Sequence, residues 1–442
     1  MAIKSKLTFH GGIHPPHAKE FTQDKPIEPY MPKDRVIIPL VQHIGVPCKP
    51  VVKVNQEVKV GQIIGEPGGY VSAPVHSSVS GKVVGIEEYP SPAGKKVLSV
   101  IIQSDGNFEP QEGVFIKRDI DQLSPEEIKA IIKDAGIVGM GGAAFPTIVK
   151  ISPPPDKKVD VIILNGAECE PYLTADSRLM EEYPDDIVYG LRAIMKAMGV
   201  KKGIIGIEDN KLRAIISMRN AAKGFDGIEV AVLKTKYPQG SEKHIIKAIT
   251  GRVVPSGKLP ADVGVVVNNV ATAKAIADAI KEGKPLIERV VTVTGEGVEN
   301  PKNLLVKIGT PFSELIDFCG GFKGTPGKVI SGGPMMGIAQ YTLDVPVIKG
   351  TSGILVQPAE KVRVTKPSPC IRCGRCVDAC PMNLLPLFIS AYSIKGDFDR
   401  CKEYNVMDCI ECGSCSYICP SKRPLVESIR LAKSVISSKN KK

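Results

Sequence analysis

The chain has 442 residues, 43% of them hydrophobic and 24% charged, an ordinary globular composition with room for about two to four domains. The net charge of +11 admits nucleic acid, an anionic membrane surface or an acidic protein as partner, but no basic stripe interleaved with aromatics marks a nucleic-acid surface, and none is expected. Met1–Lys6 lacks the apolar segment of a secretory signal and no apolar run reaches the ~18 residues that span a bilayer, so a cytosolic or peripheral protein is expected, in which twelve cysteines point to metal binding and not to disulfides.

The first stretch is rich in His, Pro and Lys. His10-Gly-Gly-Ile-His-Pro-Pro-His17 brings three histidines into eight positions, but the intervening prolines favour an extended arm over a metal site. From Arg35 to about Gln103, short runs bounded by Gly, Pro and Ser predict strands at Val51–Val54, Glu57–Val60, Gln62–Ile64, Gly81–Gly85 and Val97–Ile102. Val58-Lys-Val-Gly-Gln-Ile-Ile-Gly65 and Ser72-Ala-Pro-Val-His-Ser-Ser-Val-Ser-Gly-Lys-Val83 resemble a barrel-sandwich module of the biotinyl/lipoyl type. Carriers of that type present a modifiable lysine on the hairpin between such phrases. Here Glu66–Ser72 has no lysine, so residues 1–112 are expected to form an arm and a structural or docking module.

A charged spacer, Asp105–Pro125, follows. Ser124-Pro-Glu-Glu127 reads as an N-cap with acidic first-turn residues and predicts a helix start. The helix runs into Gly139-Met-Gly-Gly-Ala-Ala-Phe-Pro-Thr-Ile-Val-Lys150. Gly139, Gly141 and Gly142 leave the main chain open to close approach, and Ile148-Val149-Lys150 is expected to continue a helix. A glycine turn near a helix N-terminus is a seat for phosphate. Lys150 adds charge, and Phe145 a flat apolar face. The same residues also read as a plain tight turn, and the loop alone does not decide.

From about Val159 to Ala279 the pattern is α/β. Strands are expected at Val159–Leu164, Gly203–Ile207 and Gly227–Leu233, and helices over Pro184–Met198 and Lys211–Lys223. Polar clusters follow the strands: Asn165-Gly-Ala-Glu-Cys-Glu170, Tyr237-Pro-Gln-Gly-Ser-Glu242 and Val267-Asn-Asn-Val-Ala-Thr272. Ligands of open α/β sheets bind beyond the carboxyl ends of strands, so these clusters and the glycine loop are expected to line one crevice in a domain of residues 113–284. Cys169, between two glutamates, is a candidate ligand contact. Over 285–350, strands at Val290–Thr294 and Leu304–Ile308, a helix from Thr310 and a strand from Gly327 suggest a small β-grasp unit. Gly332-Gly-Pro-Met-Met-Gly337 reads as a packed turn in preference to a second ligand loop.

Residues 351–442 hold the strongest signal. Cys370-Ile-Arg-Cys373-Gly-Arg-Cys376-Val-Asp-Ala-Cys380-Pro and Cys409-Ile-Glu-Cys412-Gly-Ser-Cys415-Ser-Tyr-Ile-Cys419-Pro both follow the spacing of bacterial two-cluster ferredoxins. In that arrangement the fourth cysteine of each run reaches the other cluster. Cys370, Cys373, Cys376 and Cys419 are therefore assigned to one [4Fe–4S] cluster, and Cys409, Cys412, Cys415 and Cys380 to the other. Zinc also takes four thiolates, but two full copies with both prolines favour iron–sulfur. Cys48, Cys319 and Cys401 are expected as buried thiols. The basic tail Arg430–Lys442 reads as a solvated helix end.

With these residues in place, the chain is similar over nearly its full length to the RnfC family, which belongs to the Rnf ferredoxin:NAD+ oxidoreductase complex. The marks are His10-Gly-Gly-Ile-His14, Gln42-His-Ile-Gly45, Ala73–Gly81, Leu164-Asn-Gly-Ala-Glu-Cys-Glu-Pro171, Gly332–Gly337 and the paired cysteine motifs. The middle resembles the flavin subunit of respiratory complex I. The resemblance implies an α/β multidomain chain: a barrel-sandwich module, a Rossmann-like FMN/NADH domain, a β-grasp (SLBB-like) domain and a helical two-[4Fe–4S] domain. It implies FMN contacts at Gly139, Gly141, Gly142 and Lys150, with Phe145 on the nicotinamide side. Asn165, Glu168, Gly240, Glu242, Asn268, Asn269 and Thr272 keep family positions near the flavin, and Glu170 falls where a glutamate contacts NADH. Ser241, Ala167 and Cys169 depart from complex I, which has Glu, Asp and Ser there, so the flavin's polar contacts are expected to differ.

The implied cofactors are two [4Fe–4S] clusters and FMN, with NAD(H) as substrate. The implied partners are other Rnf subunits, including integral membrane subunits and an iron–sulfur subunit that accepts electrons from ferredoxin, at the cytoplasmic face of the membrane. No side-chain acid or base is needed for hydride transfer, so binding residues and no catalytic base are expected. Two rivals stand beside this reading. A corrinoid reductase joins similar parts, but the leading barrel module and the His-Gly-Gly arm favour Rnf. A flavin-free electron-transfer scaffold is the other, against which stand the intact glycine loop and the Asn268–Asn269 pair.

Overall fold

The computed structural model describes residues 7–362 and 365–439. Met1–Lys6 and the last three positions of the basic tail, on which two of the expectations above partly rest, lie outside the described residues.

The flavin-type domain is built on a four-stranded parallel sheet. Its strands run in the order Ile228–Leu233, Gly203–Glu208, Val161–Gly166, Val265–Asn269. The chain steps outward from Val161–Gly166 in one direction, then returns to its other side with Val265–Asn269. That reversal is the topological switch point, and it sets Asn165 beside Asn269 in register. Pro184–Met198 forms the expected helix, closed by Gly199 at φ 66°. Ser124 caps Pro125–Asp134: its hydroxyl accepts from Glu127 N at 3.3 Å, and the Glu127 carboxylate accepts from Ser124 N at 2.7 Å. The helix expected after the glycine loop is a single turn, Thr147–Lys150. Pro153–Pro155 follow directly and stop it.

The barrel-sandwich module closes two small antiparallel sheets around Val36, Ile38, Leu40, Ile64, Val83, Val100 and Ile102. The strand expected at Val51–Val54 is absent; pairing occurs at Lys49–Pro50, and Asn55 turns the chain at φ 72°. Only Val52 of that run is buried in the core, so the apolar run lacked a second buried position to hold a strand.

The β-grasp region is a six-stranded mixed sheet, ordered Ile27–Tyr30, Lys302–Lys307, Glu288–Thr294, Gly353–Pro358, Pro326–Ser331, Ile338–Ala339. Two of its strands come from outside the expected 285–350 limits. The arm supplies Ile27–Tyr30, and the stretch after 350 supplies Gly353–Pro358. Strand pairing is non-local, so sequence composition did not place either.

The arm itself ties three units together. Ile13 and Tyr237 exchange backbone bonds at 2.9 Å, and Gly12 N donates to Ala379 O at 3.0 Å. A Cβ on Gly11 would lie 2.7 Å from Cys380 O, and one on Gly12 2.6 Å from Tyr237 O. With φ of 76° and 79° as well, both positions require glycine. Among the described residues no three metal-binding side chains converge at single-ion spacing, in the histidine-rich arm or elsewhere. No described helix is long and apolar enough to cross a membrane.

In the cysteine domain the two motifs repeat at an offset of 39 residues. Arg372 and Glu411 share φ near 56° and 57°, Gly374 and Gly413 both have 77°, and Asn383 and Lys422 have 55° and 49°. The helices Arg375–Asp378 and Pro386–Ile394 correspond to Ser414–Ile418 and Leu425–Lys439.

Candidate flavin and iron–sulfur sites

The glycine loop is a narrow hairpin. Gly139 N donates to Phe145 O at 2.8 Å and Thr147 N to Ile137 O at 3.0 Å. Thr272, at the start of the helix Val270–Lys281, accepts from Met140 N at 2.9 Å through its hydroxyl. The tip is exposed. Gly142 and Ala144 take φ of 76° and 52°, and the amides of Gly141, Gly142, Ala143 and Ala144 donate to no acceptor among the described residues. Successive free N–H groups of this kind form a nest for an anion. A Cβ on Gly141 would press to 3.2 Å of Asn269 Nδ2, while Gly142 faces open space.

The loop sits at the switch point. Asn165 donates through Nδ2 to Gly240 O at 2.7 Å. Asn269 Oδ1 caps the following helix by accepting from Ala271 N at 2.8 Å, and its Nδ2 donates to Asp176 at 2.7 Å. Asn268 is 2% exposed, yet neither side-chain polar atom has a partner among the described residues. Gln239, 0% exposed, is in the same condition, as is the Thr147 hydroxyl. Buried polar atoms without partners are rare outside functional sites. Gln239 carried no sequence signal of its own beyond its position beside Gly240. The nest and these orphaned groups fit a phosphate-bearing flavin.

Other expected contacts have partners within the protein. Lys150 Nζ bonds Glu242 Oε1 and Val267 O, both at 3.1 Å, joining the short helix to the sheet end. Glu168, at φ 46°, accepts from Asp176 N at 2.7 Å and caps the helix Ala175–Glu182, with Lys19 at 3.8 Å. Glu170 accepts from Met335 N at 3.1 Å and Met336 N at 2.8 Å. It thus holds the 332–337 turn, so the packed-turn reading of that glycine run agrees with the structure. Burial pushes both carboxyls up to about 7, opposed in each case by Lys19 and backbone donors. Cys169 Sγ accepts from Gly240 N at 3.4 Å, and burial raises its thiol to about 12. The Glu168–Glu170 run therefore also fastens the flavin domain to its neighbours.

The cysteines separate into the two crossed sets. Cys370, Cys373, Cys376 and Cys419 line one concavity with Leu387 and Arg423. Cys409, Cys412, Cys415 and Cys380 lie within electrostatic reach of one another. Backbone N–H groups already point at sulfur: Arg372 N to Cys370 and Glu411 N to Cys409 at 3.4 Å, and Leu384 N to Cys380 at 3.3 Å. Burial raises the inner thiols, Cys409 to about 11, so metal must supply the charge that ionises them. Two four-thiol sets, one of them lining a concavity, with amides aimed at sulfur, fit cubane clusters.

The two sets differ in surroundings. The first is exposed at Cys370 and Cys373. Around it stand Arg372, Arg375, Lys422 and Arg423, none in an ion pair among the described residues, and Ile371 is 67% exposed. The second packs against the flavin domain. Tyr237 donates its hydroxyl to Cys412 O at 2.8 Å, His244 Nε2 reaches Pro381 O at 2.9 Å, and Cys412, Tyr237, Ile13, Cys169 and Met335 share one apolar cluster. Its Glu411, at the position equivalent to Arg372, is paired with Arg430 and Lys433.

A flavin seat at the switch point of a parallel sheet, wired to a two-cluster domain, defines a flavin and iron–sulfur electron-transfer protein. Models of four domain families match in chain order: the RnfC barrel sandwich hybrid domain over 7–107, the Nuo51 FMN-binding domain over 132–278, the SLBB domain over 290–339 and the 4Fe-4S dicluster domain over 369–422. The chain is 53% identical over 435 residues to the RnfC component of the Na(+)-translocating ferredoxin:NAD(+) oxidoreductase complex of Acetobacterium woodii, covering 98% of both chains. It is 54% identical to the same component of the proton-translocating ferredoxin:NAD(+) oxidoreductase complex of Clostridium ljungdahlii, covering 97% of this chain and 93% of that one. The chain belongs to the RnfC family of Rnf complex subunits. An NAD+-reducing [NiFe]-hydrogenase shares the fold over 67% of this chain and 56% of its own, with a TM-score of 0.50 and 21% identity.

Proposed function

We propose that this chain is the NAD(H)-reacting subunit of an ion-translocating ferredoxin:NAD+ oxidoreductase. FMN, when bound, exchanges hydride with NAD(H) and single electrons with iron–sulfur clusters, which is why it belongs between them. The observation that carries the reading is the segment Tyr237-Pro-Gln-Gly240. One end bonds Cys412 of the inner cysteine set, and the other bonds Asn165 beside the glycine nest. Two redox seats are thus joined through four residues.

The chain's own groups divide the work. The amides of Gly141–Ala144 seat the anionic end of the flavin, Phe145 offers an apolar face for the nicotinamide, and Asn268 and Gln239 supply unpaired polar groups. Cys409, Cys412, Cys415 and Cys380 hold the cluster nearest the flavin domain. Cys370, Cys373, Cys376 and Cys419 hold the one that meets a partner. The unpaired cations around the outer set suit an acidic redox protein, in keeping with an iron–sulfur subunit fed by ferredoxin. The ion path lies in other subunits, at the membrane whose cytoplasmic face this one would occupy. The two relatives named for different ions are equally similar, so overall identity in this subunit does not track the ion.

The test is an anaerobic NADH titration of the protein reconstituted with FMN and iron–sulfur clusters, following flavin absorbance and cluster EPR together. Bleaching of a bound flavin with a cluster signal is expected. If dithionite reduces two clusters while NADH does nothing, the flavin-free scaffold takes the place of this reading.

A further inference from the structure

The glycine loop rests on two buried cations. Arg289, in the strand Glu288–Thr294, is 2% exposed, and Lys349 is 1% exposed. Arg289 Nη1 donates to Lys349 O at 2.6 Å and to Met140 O at 3.4 Å. Lys349 Nζ donates to Pro74 O and Gly136 O, both at 2.7 Å. Every one of these acceptors is a neutral carbonyl. Neither cation forms an ion pair among the described residues. The carboxylate that influences Arg289 is Asp176, already bonded to Asn269.

The groups facing Lys349 do not balance it. Burial raises the Cys48 thiol and keeps His43 and His76 neutral, the latter at about 3. Burial pulls Lys349 itself down to about 7 and Arg289 to about 10. Burying a cation without a paired counter-charge is costly, and a nearby anion would ease that cost for each of the two.

The peptide geometry shows where that anion sits. A trans peptide places its C=O and N–H on opposite sides. Met140 O points at Arg289, so the N–H of Gly141 points away, to the exposed side of the loop. The Met140 N–H is fixed in turn by Thr272. The guanidinium thus sits at the negative end of the same peptide that offers its N–H to the nest, and it strengthens that donor. Lys349 holds the Gly136 carbonyl at the loop's base, and a Cβ on Gly350 would come within 3.5 Å of the Ala144 side chain.

We propose that Arg289 and Lys349 form the electrostatic floor of the glycine loop, and that they complement the phosphomonoester of the flavin nucleotide seated on its amides. This rests on the flavin reading above. It adds two binding determinants from outside the flavin domain, one on a strand of the β-grasp sheet and one on the loop leading into that sheet's strand Gly353–Pro358.

The experiment compares FMN with riboflavin, which lacks only the phosphate. Dissociation constants for both are measured by flavin fluorescence on the full chain with its clusters. The unmodified protein is expected to prefer FMN by well over tenfold; equal affinities would sink the loop reading itself. Arg289→Met and Lys349→Gln are each expected to lower the FMN preference about tenfold, with riboflavin affinity nearly unchanged. If both ligands weaken in parallel, the two residues are structural rivets and the floor is refuted. Arg289→Lys and Lys349→Arg keep the charge and are expected to keep the preference. A folded conservative variant that loses it overturns the proposal, even where the neutral variants do not fold.

Discussion

Tyr237 and Cys412 meet across the boundary between the flavin domain and the cysteine domain, hydroxyl to carbonyl, at 2.8 Å. The tyrosine is 2% exposed, and burial raises its hydroxyl far above the usual range, so it stays protonated and remains a donor. Tyr237→Phe leaves a buried carbonyl unpaired at a cost of about 1–2 kcal/mol. Flavin binding is expected to persist. The EPR signal of the inner cluster should shift while that of the outer cluster does not, and a shift in both would show that the contact is not local.

Cross-ligation gives a second expectation. Cys419 lies in the second motif but lines the cavity of the first. Cys419→Ser is expected to lower iron from about eight to about four atoms per chain and to remove the exposed cluster's signal. Loss of the buried cluster instead would reverse the assignment.

Gly11 and Gly12 are spacers between two units. Alanine at either brings a Cβ within 2.7 Å of a backbone oxygen, at a φ that disfavours it. A cost of about 1–3 kcal/mol each is expected. Limited proteolysis should show the cysteine domain released more readily, and NADH should reduce the clusters more slowly although dithionite still reduces them. Unchanged cleavage would mean that the arm does not fasten the domain.

Glu170 links stability to pH. Its folded carboxyl titrates near about 7, against 4.5 when free. The folded state therefore holds the extra proton between these values. The stabilisation is complete below about pH 4.5 and is lost as pH rises through about 7. Glu170→Gln is expected to flatten that decline in chemical denaturation, with part of the slope left by Glu168, which shifts the same way. A slope equal to that of the unmodified protein would locate the linkage elsewhere.

The cationic rim of the outer set predicts a salt effect. Arg372→Glu with Arg375→Glu is expected to slow cluster reduction by an acidic ferredoxin-type donor about tenfold at low ionic strength. The difference should fade with added salt, and flavin bleaching by NADH should not change. A rate indifferent to both charge and salt would place the donor on another face.

Local signals carried much of the architecture. The capping box at Ser124, the helix Pro184–Met198 and the cysteine spacing are written in neighbouring residues, and they appear where the pattern puts them. The glycine loop and Asn165, Asn269 and Thr272 also gather at one point. What sequence did not reveal was non-local. Glu170 stood out by family resemblance, and nothing in its neighbouring residues told that a turn more than 160 residues away supplies donors to its carboxylate. Lys349 stands in a loop where lysines are ordinarily solvated, and only the packing of three units around it makes it a core residue. The route of the arm had no signature beyond its two glycines.

The arm has a consequence for how the molecule is made. Gly12 bonds Ala379, and the strand Ile27–Tyr30 completes a sheet whose other members begin at Glu288. The arm therefore docks in steps: on the parallel-sheet domain through Ile13 and Tyr237, then on the edge at Lys302–Lys307, and on the cysteine domain only when Ala379 has been made. Domains fold as units during synthesis, so the arm is engaged by three successive units and finishes closing last. A chain in which Ile27–Tyr30 is deleted is expected to leave the sheet edge at Lys302–Lys307 uncovered and to present it to chaperones or to other copies of itself.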